Sequence, residues 1–541
     1  MRTGRAARDR MATNGDNSAG VARVAAIDVG SNSIRQIVAD VSADGKIRVI
    51  DEMKAAPRLG ARMTTGGDLS ADSMERAVEA ITRMATLARQ LGAHRVEAVA
   101  TSAVRDASNG AAFVEMVRHN TGIRLRVLIG EEEARLSYRS ALAHFDLGAG
   151  RAAVMDIGGG SLELALSADG LLERLVTFPF GALRLTERFL DAHCRRKHVK
   201  ALRRMVRQEL RDRLPAREWR GAQVIGSGGT FTNMAGMILA RQGMVAAQTV
   251  HGARVTRIDL EHLLDGLQDT TLAERERVPG LNPARADIIV AGLAVAAEVL
   301  ARLEAQDLVV SGYGIREGLL LETAQVIPTV AVRGEARQRS VQQLADRCHF
   351  EAPHALHVQR LALQLFDALG RQLGCTTADR ETLADAALLH DIGYHISYDR
   401  HHKHSYYLIL HAELLGMSPT EKVVVANVAR YHRGSDPRRK QRNFSILDPT
   451  LRTRIRRLAA LLRVADGFDR GHVGGVGRIE VRRVARTIRL RAVAARRGQP
   501  LRLELWGAAR KAGLLAAEIG APIEIRDPAG GLVTRISAAD D

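Results

Sequence analysis

The sequence contains two copies of a short pattern in which two apolar runs flank an aspartate and a glycine-containing turn. Residues 24–38 read VAAIDVGSNSIRQIV, and residues 152–166 read AAVMDIGGGSLELAL. Each copy is typical of two buried strands joined by a tight turn, and Asp28 of the first aligns with Asp156 of the second. One such turn is usually structural. Two copies predict two related half-domains that face each other across a phosphate cleft.

The turns themselves favour contacts with phosphate and metal. Glycines 158–160 have no side chains to hold a ligand away from the backbone, so their N–H groups can point at phosphate oxygens. Asp156 comes just before the turn, where a carboxylate can hold Mg²⁺. Glu163 lies two residues past Ser161 and would face the same side of a strand. A third glycine turn, residues 226–230, precedes a predicted helix and offers further backbone donors.

Length and charge limit the class of protein. The chain has 541 residues, with 79 Lys and Arg against 61 Asp and Glu, for a net charge of +18. The length predicts several domains. The charge favours a polyanionic partner such as nucleic acid, polyphosphate or a nucleotide, and a GC-rich genome that encodes Arg in place of Lys explains it equally well. Three scattered cysteines argue against a disulfide framework. The sequence has no long apolar run, so no membrane span is expected. We expect a cytoplasmic protein.

Changes in pattern divide the chain into five predicted segments. Residues 1–20 lack apolar periodicity and are expected to form a disordered tail. They also lack the apolar core of a signal peptide, and the sequence leaves open whether Met1 or Met11 is the start. The other predicted segments are two half-domains, a helical domain rich in histidine and a small α+β module, at residues 21–148, 149–330, 331–475 and 476–541.

Two stretches of the first half-domain carry candidate functional groups. The polar loop 101–109 bears Arg105 and follows a predicted strand, a position where α/β folds keep ligand contacts. As an ordinary connection, its Asp and Asn would instead cap the next helix. The acidic run Glu131 to Glu133 follows another short predicted strand. From the residues alone, this run favours stabilisation of a helix N-terminus over catalysis.

In order and spacing, these motifs resemble those of the exopolyphosphatase and guanosine pentaphosphate phosphatase (Ppx/GppA) family, which has the superfold of actin and the sugar kinases. The resemblance covers nearly the whole chain from Val21 and rests on residues 28–33, 129–136, 156–163 and 316–318. The second hairpin ends in Ser-Leu-Glu where many relatives have Ser-Thr-Glu, which keeps the acid. The expected fold is α/β: two actin-like, ribonuclease H-like half-domains around a phosphate cleft, then an all-helical HD-type domain and a small α+β module.

The resemblance implies a hydrolase that removes the terminal phosphate from inorganic polyphosphate, from pppGpp or from both, with Mg²⁺ and often K⁺. It implies that Glu133 is catalytic, which overturns the preference for helix capping at that residue, and that Asp156 and Glu163 help to position metal and water. The implied phosphate contacts are Asn32, Ser33, Arg105, Gly158, Gly159, Gly160, Ser161, Gly228, Gly229 and Thr230. A homodimer is common in the family.

The predicted helical domain carries histidines and aspartates in the order expected of an HD-type metal phosphohydrolase domain. Imidazole with carboxylate is a good ligand set for Mn²⁺, Fe²⁺ or Zn²⁺. His404 and His432 are candidates to extend the set to a second metal. The resemblance also implies that in several relatives this domain has lost ligands and serves only as substrate track and dimer surface. The candidate metal ligands are His357, His390, Asp391 and Asp466.

Other functions remain open from the sequence. One alternative is an ATP-using enzyme of the same superfold, such as a sugar kinase, and another is an HD-type phosphohydrolase that acts on a nucleotide. Specific nucleic-acid binding is not expected, because the chain has no helix-turn-helix, RNA-binding or zinc-finger signature. The shared motifs do not rank polyphosphate against pppGpp.

Overall fold

The structure of the protein, a computed structural model, describes residues 21–43, 45–61, 63, 67–148, 150–244, 249–326, 333–412, 414 and 416–537. The tail predicted for residues 1–20 lies outside them. The described residues form two units. The first contains those up to 143 together with 315–326, and the second contains those of 144–314 together with 333–537. Within the described part of the chain, no helix is long and apolar enough to cross a bilayer.

The first unit is built on a five-stranded mixed sheet. Its strands are β1 (Val21–Val29), β2 (Ile34–Ser42), β3 (Ile47–Ala55), β4 (Arg95–Ala100) and β5 (Leu125–Val127). The strand order is β3-β2-β1-β4-β5, in which β1, β2 and β3 pair antiparallel and β1, β4 and β5 pair parallel. The helices that begin in this unit are Ala71–Gln90, Ser102–Asp106, Gly110–Thr121, Gly130–His144 and Ile315–Thr323.

The second unit begins with a sheet of the same plan. Its strands are β6 (Arg151–Ile157), β7 (Leu162–Ala168), β8 (Leu171–Phe178), β9 (Gln223–Ser227), β10 (Arg254–Thr256) and β11 (Asp307–Val310). The run β8-β7-β6-β9-β11 repeats the order and the strand directions of β3-β2-β1-β4-β5, and β10 is added at the edge. The duplicated sequence pattern therefore marks a duplicated mixed α/β sheet, in agreement with two actin-like half-domains.

Helices cover this second sheet and supply most of its core. The helix Ile289–Arg302 is apolar on almost every face and is buried along nearly its whole length, as expected for a helix enclosed by other elements. The helices and the single 3₁₀ turn described here are Ala182–Phe189, Arg196–Arg213, Ala216–Trp219, Gly229–Arg241, Arg257–Leu267, Leu272–Glu276, Pro283–Arg285 and Ile289–Arg302.

The last helix of the predicted segment 149–330 belongs to the first unit. After Gly314 the chain returns to the first unit, where Leu319 and Leu320 of the helix Ile315–Thr323 pack in one core with Val24 of β1. Sequence patterning follows the order of elements along the chain, and it does not reveal which sheet a helix covers.

The rest of the second unit is helical and then mixed. Its helices are Arg333–Arg347, Ala352–Leu369, Thr377–Leu389, Ile392–His395, His401–His411, Pro419–Arg430, Arg442–Ser445, Pro449–Gly467, Arg502–Lys511 and Gly513–Ile519. A four-stranded sheet contains β12 (Val476–Val484), β13 (Thr487–Ala494), β14 (Ile523–Arg526) and β15 (Leu532–Ile536). The apolar side chains of this sheet share one core with the helices, so the predicted α+β module is continuous with the helical part.

A buried cation ties three helices of this part together. Arg337 is 2% exposed. Its guanidinium donates to Asp385 Oδ2 at 2.7 Å and to Glu421 Oε1 at 2.9 Å. Burial raises the pKa of Asp385 to about 6, although the charge of Arg337 acts in the opposite direction. Because a buried carboxylate left without its cation is costly, Arg337 stabilises this packing.

We expect Arg337→Met to destabilise the protein by about 3–5 kcal/mol near pH 8 and by less near pH 5. Asp385 has a raised pKa in the folded protein, so its contribution to stability is present below its unfolded pKa and is lost as the pH rises through about 6. Without Arg337 this pKa rises further, and acid relieves the buried charge. Denaturant unfolding followed by circular dichroism at both pH values measures the effect. Arg339→Met, at an exposed position of the same helix, is the control. Equal losses in the two variants would contradict this account.

Candidate functional site

The two hairpin turns are closed by the same backbone hydrogen bond. The N–H of Gly30 donates to the carbonyl of Ser33 at 3.2 Å, and the N–H of Gly158 donates to the carbonyl of Ser161 at 3.0 Å. This agreement supports the alignment of the two copies. It also corrects one expectation, because the N–H of Gly158 is engaged in the turn and is not a free donor for phosphate. The candidate donors of this turn narrow to the N–H groups of Gly159, Gly160 and Ser161.

A helix N-terminus fixes the shape of the second turn. The N–H groups of Ala182 and Leu183 donate to the carbonyls of Gly158 and Gly159, both at 2.9 Å. A Cβ added to Gly181 would lie 2.2 Å from the backbone of Gly160, so only glycine permits this close approach. The carbonyls of the turn are therefore held by the helix Ala182–Phe189.

Two buried carboxylates lie opposite each other on this hairpin. Asp156 of β6 pairs directly with Glu163 of β7, and they are 7% and 2% exposed. Residues directly opposite in an antiparallel pair point to the same face, with side chains about 5 Å apart. Ser227 at the end of β9 donates to Asp156 Oδ2 at 2.7 Å. Two like charges in this position favour a bound cation, and carboxylate oxygens are the ligands that Mg²⁺ prefers. The donor set fits magnesium.

The third turn brings a further arginine to this site. Gly228 has φ +93°, and a Cβ there would lie 2.8 Å from Asp156 Oδ1. A Cβ on Gly229 would lie 1.9 Å from the guanidinium carbon of Arg285. The two glycines thus allow Asp156 and Arg285 to approach the backbone of the turn. Sequence reasoning missed Arg285, because it lies more than fifty residues further along the chain in no motif.

Thr230 has a different side-chain environment from the one expected of a phosphate contact. Its hydroxyl and methyl atoms would both lie 2.7 Å from a Cβ placed on Gly292, so the side chain packs on the helix Ile289–Arg302. Thr230 lies in the first turn of the helix Gly229–Arg241, where the N–H groups have no acceptor within the helix. Any contact of Thr230 with an anion would therefore use its backbone N–H.

In the first unit, two adjacent glutamates have different surroundings. Glu132 Oε2 accepts a hydrogen bond from the N–H of Ile129 at 3.0 Å, the capping interaction expected at a helix N-terminus. Glu133 is 3% exposed, and its Oε1 accepts a hydrogen bond from the guanidinium of Arg105. Arg105 also donates to the carbonyl of Leu128 at 2.7 Å. The structure therefore brings the predicted catalytic glutamate and the predicted phosphate-binding arginine into contact.

The first hairpin carries a cation where the second carries an acid. Arg35 of β2 is opposite Asp28 of β1, the position that Glu163 has opposite Asp156. Burial and the nearby charge of Arg316 lower the pKa of Arg35. Arg316 is itself mostly buried and pairs with Glu52 at 2.9 Å. The motif at 316–318 pointed to Arg316, and sequence reasoning missed Arg35. Asn32 is half-buried and Ser33 buried in the turn of this hairpin.

A second cluster of potential ligands lies in the helical part. Asp391 lies with His354 and His390 in one group and with His401 and His432 in another, with the ligand atoms of each group within 4.8 Å of one another. Asp466 Oδ1 is 3.7 Å from His354 Nε2 and 4.0 Å from His390 Nε2. The predicted residues His390, Asp391 and Asp466 are therefore together.

The predicted ligand His357 is not among the members of either group. Its Nδ1 accepts a hydrogen bond from Arg360 at 3.0 Å, and its Nε2 is 4.0 Å from Asp469. His354, one helical turn earlier, takes the expected place. The order of residues in the sequence fits either histidine, and only packing decides between them. In the same way His401 belongs to the cluster and His404, three residues later, is not among its members.

Comparison with known proteins agrees with this architecture. A sequence model of the Ppx/GppA phosphatase family matches residues 37–326, and one of Ppx/GppA phosphatase domain III matches residues 336–488, the segment predicted to be HD-type. A solved exopolyphosphatase from Cytophaga hutchinsonii is 26% identical, with a TM-score of 0.51, 57% of this chain covered and 100% of its own. An exopolyphosphatase-like protein is 28% identical, with a TM-score of 0.53, 57% of this chain covered and 98% of its own.

An Aquifex aeolicus member of the Ppx/GppA family is 30% identical, with a TM-score of 0.49, 56% of this chain covered and 98% of its own. The first family model alone spans more than half of the sequence. The chain therefore belongs to the Ppx/GppA phosphatase family.

Proposed function

We propose that the chain is a hydrolase that releases the terminal phosphate from inorganic polyphosphate, from pppGpp or from both. Membership of the Ppx/GppA family makes it a phosphatase of phosphoanhydrides, close to the exopolyphosphatases. The observation that carries the finer proposal is the buried pair Asp156 and Glu163 beside two glycine turns. Phosphoryl transfer requires positioning and neutralisation of charge more than covalent chemistry, and these groups supply both.

Glu133 is assigned to the attacking water. Its carboxylate would orient that water and accept its proton. Arg105 donates a hydrogen bond to Glu133 Oε1, and a guanidinium that binds a carboxylate also binds phosphate. An arriving phosphate would compete for Arg105 and release the carboxylate for its role as base. Arg105 is thus both the group that positions Glu133 and a phosphate ligand.

Asp156 and Glu163 are assigned to Mg²⁺, which would neutralise charge on the transferred phosphate. Ser227 fixes the carboxylate of Asp156 through its hydrogen bond. The N–H groups of Gly159 and Gly229 and the guanidinium of Arg285 would bind the phosphate oxygens. A stimulating role for K⁺ is implied by the family resemblance alone.

The proposal is tested by phosphate release from long-chain polyphosphate, pppGpp and ATP, measured side by side with Mg²⁺. We expect kcat/KM for polyphosphate or pppGpp to exceed the value for ATP by at least about tenfold. A preference for ATP that depends on an added hydroxyl acceptor would instead identify a kinase of the same superfold. Phosphate release that persists in Glu133→Gln and disappears in Asp391→Ala would identify a hydrolase whose site is in the helical part.

Binding of long polyphosphate should weaken steeply with salt. The helical part has a cavity of about 280 Å³ lined by four arginines, Arg438, Arg439, Arg452 and Arg456, and the whole chain carries +18. Each phosphate that pairs with a cation releases counterions. We therefore expect KM for long chains to rise by at least about tenfold between about 50 and 200 mM salt, and KM for tripolyphosphate to rise less. A flat KM for long chains would mean that the arginine surplus binds no substrate.

A further inference from the structure

Six side chains from five separate parts of the helical region meet in one buried cluster. They are His354, His390, Asp391, His401, His432 and Asp466. The four histidines are almost fully buried, and the two aspartates are mostly buried. Ionisable groups at this depth are normally paired with opposite charge or bound to metal. Four imidazoles and two carboxylates are more than simple charge pairing requires.

Every histidine of the cluster is held through its Nδ1 atom. Three of the acceptors are backbone carbonyls, which only accept hydrogen bonds. The Nδ1 atoms of His390 and His432 lie 2.7 Å from the carbonyls of Ala387 and Ala429, and that of His401 lies 3.1 Å from the carbonyl of Tyr398. The Nδ1 of His354 lies 2.8 Å from the buried carboxylate of Asp469. With the proton on Nδ1, the lone pair of each neutral ring is on Nε2. This is how metal-binding histidines are oriented by their second partner.

The Nε2 atoms of His354 and His390 face each other and Asp391, whereas that of His401 faces Asp391 and also lies 3.3 Å from the guanidinium of Arg433. His354 Nε2 and His390 Nε2 are 3.3 Å apart, a contact that requires either a proton shared between the two rings or a cation that both rings bind. Asp391 Oδ2 is 3.6 Å from the first and 3.4 Å from the second. Two ligands of one metal, each about 2.1 Å from it, lie about 3.0–3.5 Å apart. Two of the three separations lie in this range and the third, at 3.6 Å, is just above it, so the atoms are placed to form a coordination shell.

The other oxygen of Asp391 faces the other histidine pair. Asp391 Oδ1 is 3.1 Å from His401 Nε2 and 3.4 Å from His432 Nε2. By geometric criteria this buried oxygen has no hydrogen-bond partner among the described residues. A carboxylate whose two oxygens each face a separate pair of imidazoles has the arrangement of a bridging ligand.

We propose that this cluster is a two-metal centre for first-row divalent cations such as Mn²⁺, Fe²⁺ or Zn²⁺, with Asp391 bridging the two ions. His354, His390 and Asp466 would complete the first site. His401 and His432 would hold the second, which has three protein ligands and so keeps a position open for water or an oxyanion. Lys511 contacts Asp466 Oδ2, the oxygen turned away from the histidines, and so orients Asp466. The proposal is independent of hydrolysis at Glu133.

The number of bound metals tests this directly. The full-length protein is stripped with chelator, reloaded with Mn²⁺, freed of excess ion and analysed for metal content and by electron paramagnetic resonance. In Asp156→Asn, which weakens the cation site proposed on the hairpin, we expect two Mn²⁺ per chain with an exchange-coupled spectrum, because a carboxylate bridge couples neighbouring ions. One Mn²⁺ per chain, two uncoupled ions or no bound metal would each overturn the proposal.

Paired variants in the same background assign the ligands. His401→Gln should lower the content from two Mn²⁺ to one, while His404→Gln, on the same helix and outside the cluster, should keep two. His354→Gln should reduce metal content, while His357→Gln, one turn away, should not. Circular dichroism and gel filtration identify any variant that is misfolded, and His432→Gln then replaces His401→Gln. Equal metal content in a ligand variant and its control would contradict the assignment.

Discussion

Replacing Glu133 with glutamine is expected to lower the turnover for phosphate release by about 10² or more, the scale of a lost general base, while binding of the substrate is kept. Glutamine has nearly the same shape and can still accept a hydrogen bond from Arg105, but it does not accept a proton from water. The kcat with polyphosphate and with pppGpp measures the effect, and KM should change little.

The matched control for this experiment is Glu132→Gln. Glu132 lies one residue away in the same helical turn, and its carboxylate caps the N–H of Ile129. Its replacement should cost up to about 1 kcal/mol of stability and leave kcat within about twofold. Near wild-type turnover in Glu133→Gln, or equal losses in the two variants, would show that the acidic run serves only the helix.

Replacing Asp156 with asparagine is expected to have a second large effect, a loss of about 10² or more in kcat with weaker binding of Mg²⁺. The change removes one charge from the only directly opposed pair of buried carboxylates that we find on the described hairpins, and metal stabilisation of phosphoryl charge is worth several kcal/mol. Mg²⁺ binding by calorimetry and the Mg²⁺ dependence of kcat measure the two consequences separately.

Two further variants serve as comparisons for Asp156→Asn, one with a milder change at the site and one with a change away from it. Ser227→Ala removes the hydroxyl that donates to Asp156 Oδ2 and keeps both charges, so its effect should be clearly smaller than that of Asp156→Asn. Asp169→Asn, whose side chain accepts from the N–H of Gly150 away from the site, should leave Mg²⁺ binding unchanged. Unaltered Mg²⁺ affinity in Asp156→Asn would remove this residue from the metal site.

Local patterning in the sequence accounts for much of the fold. The two hairpins were predictable because buried strands leave continuous apolar runs and the turns demand glycine. The structure confirms both, with the same closing hydrogen bond at Gly30 and Gly158. The position of the helix Ile315–Thr323 in the first unit was not predictable, since an apolar helical face does not indicate which sheet the helix covers.

The residues of the candidate site were also only partly predictable from the sequence. Glu132 and Glu133 are equally suited to a helix N-terminus by sequence, and only the family motif distinguishes Glu133 as catalytic. In the structure Glu132 caps the N–H of Ile129, whereas Glu133 contacts Arg105. His354 and His357 fit the same order along the chain, and only packing distinguishes His354 as a member of the cluster. Arg285 reaches the third turn from a distant segment. Such contacts depend on tertiary packing, which has no signature in a single sequence.

The central claim is that water, positioned by Glu133, attacks the terminal phosphorus. Hydrolysis of tripolyphosphate in ¹⁸O-labelled water, followed by mass spectrometry of the products, tests it most directly. The account predicts one solvent oxygen in the released orthophosphate, none in the remaining pyrophosphate, and loss of this labelled product in Glu133→Gln. Label in the pyrophosphate, or labelled orthophosphate formed at an undiminished rate by Glu133→Gln, would contradict it.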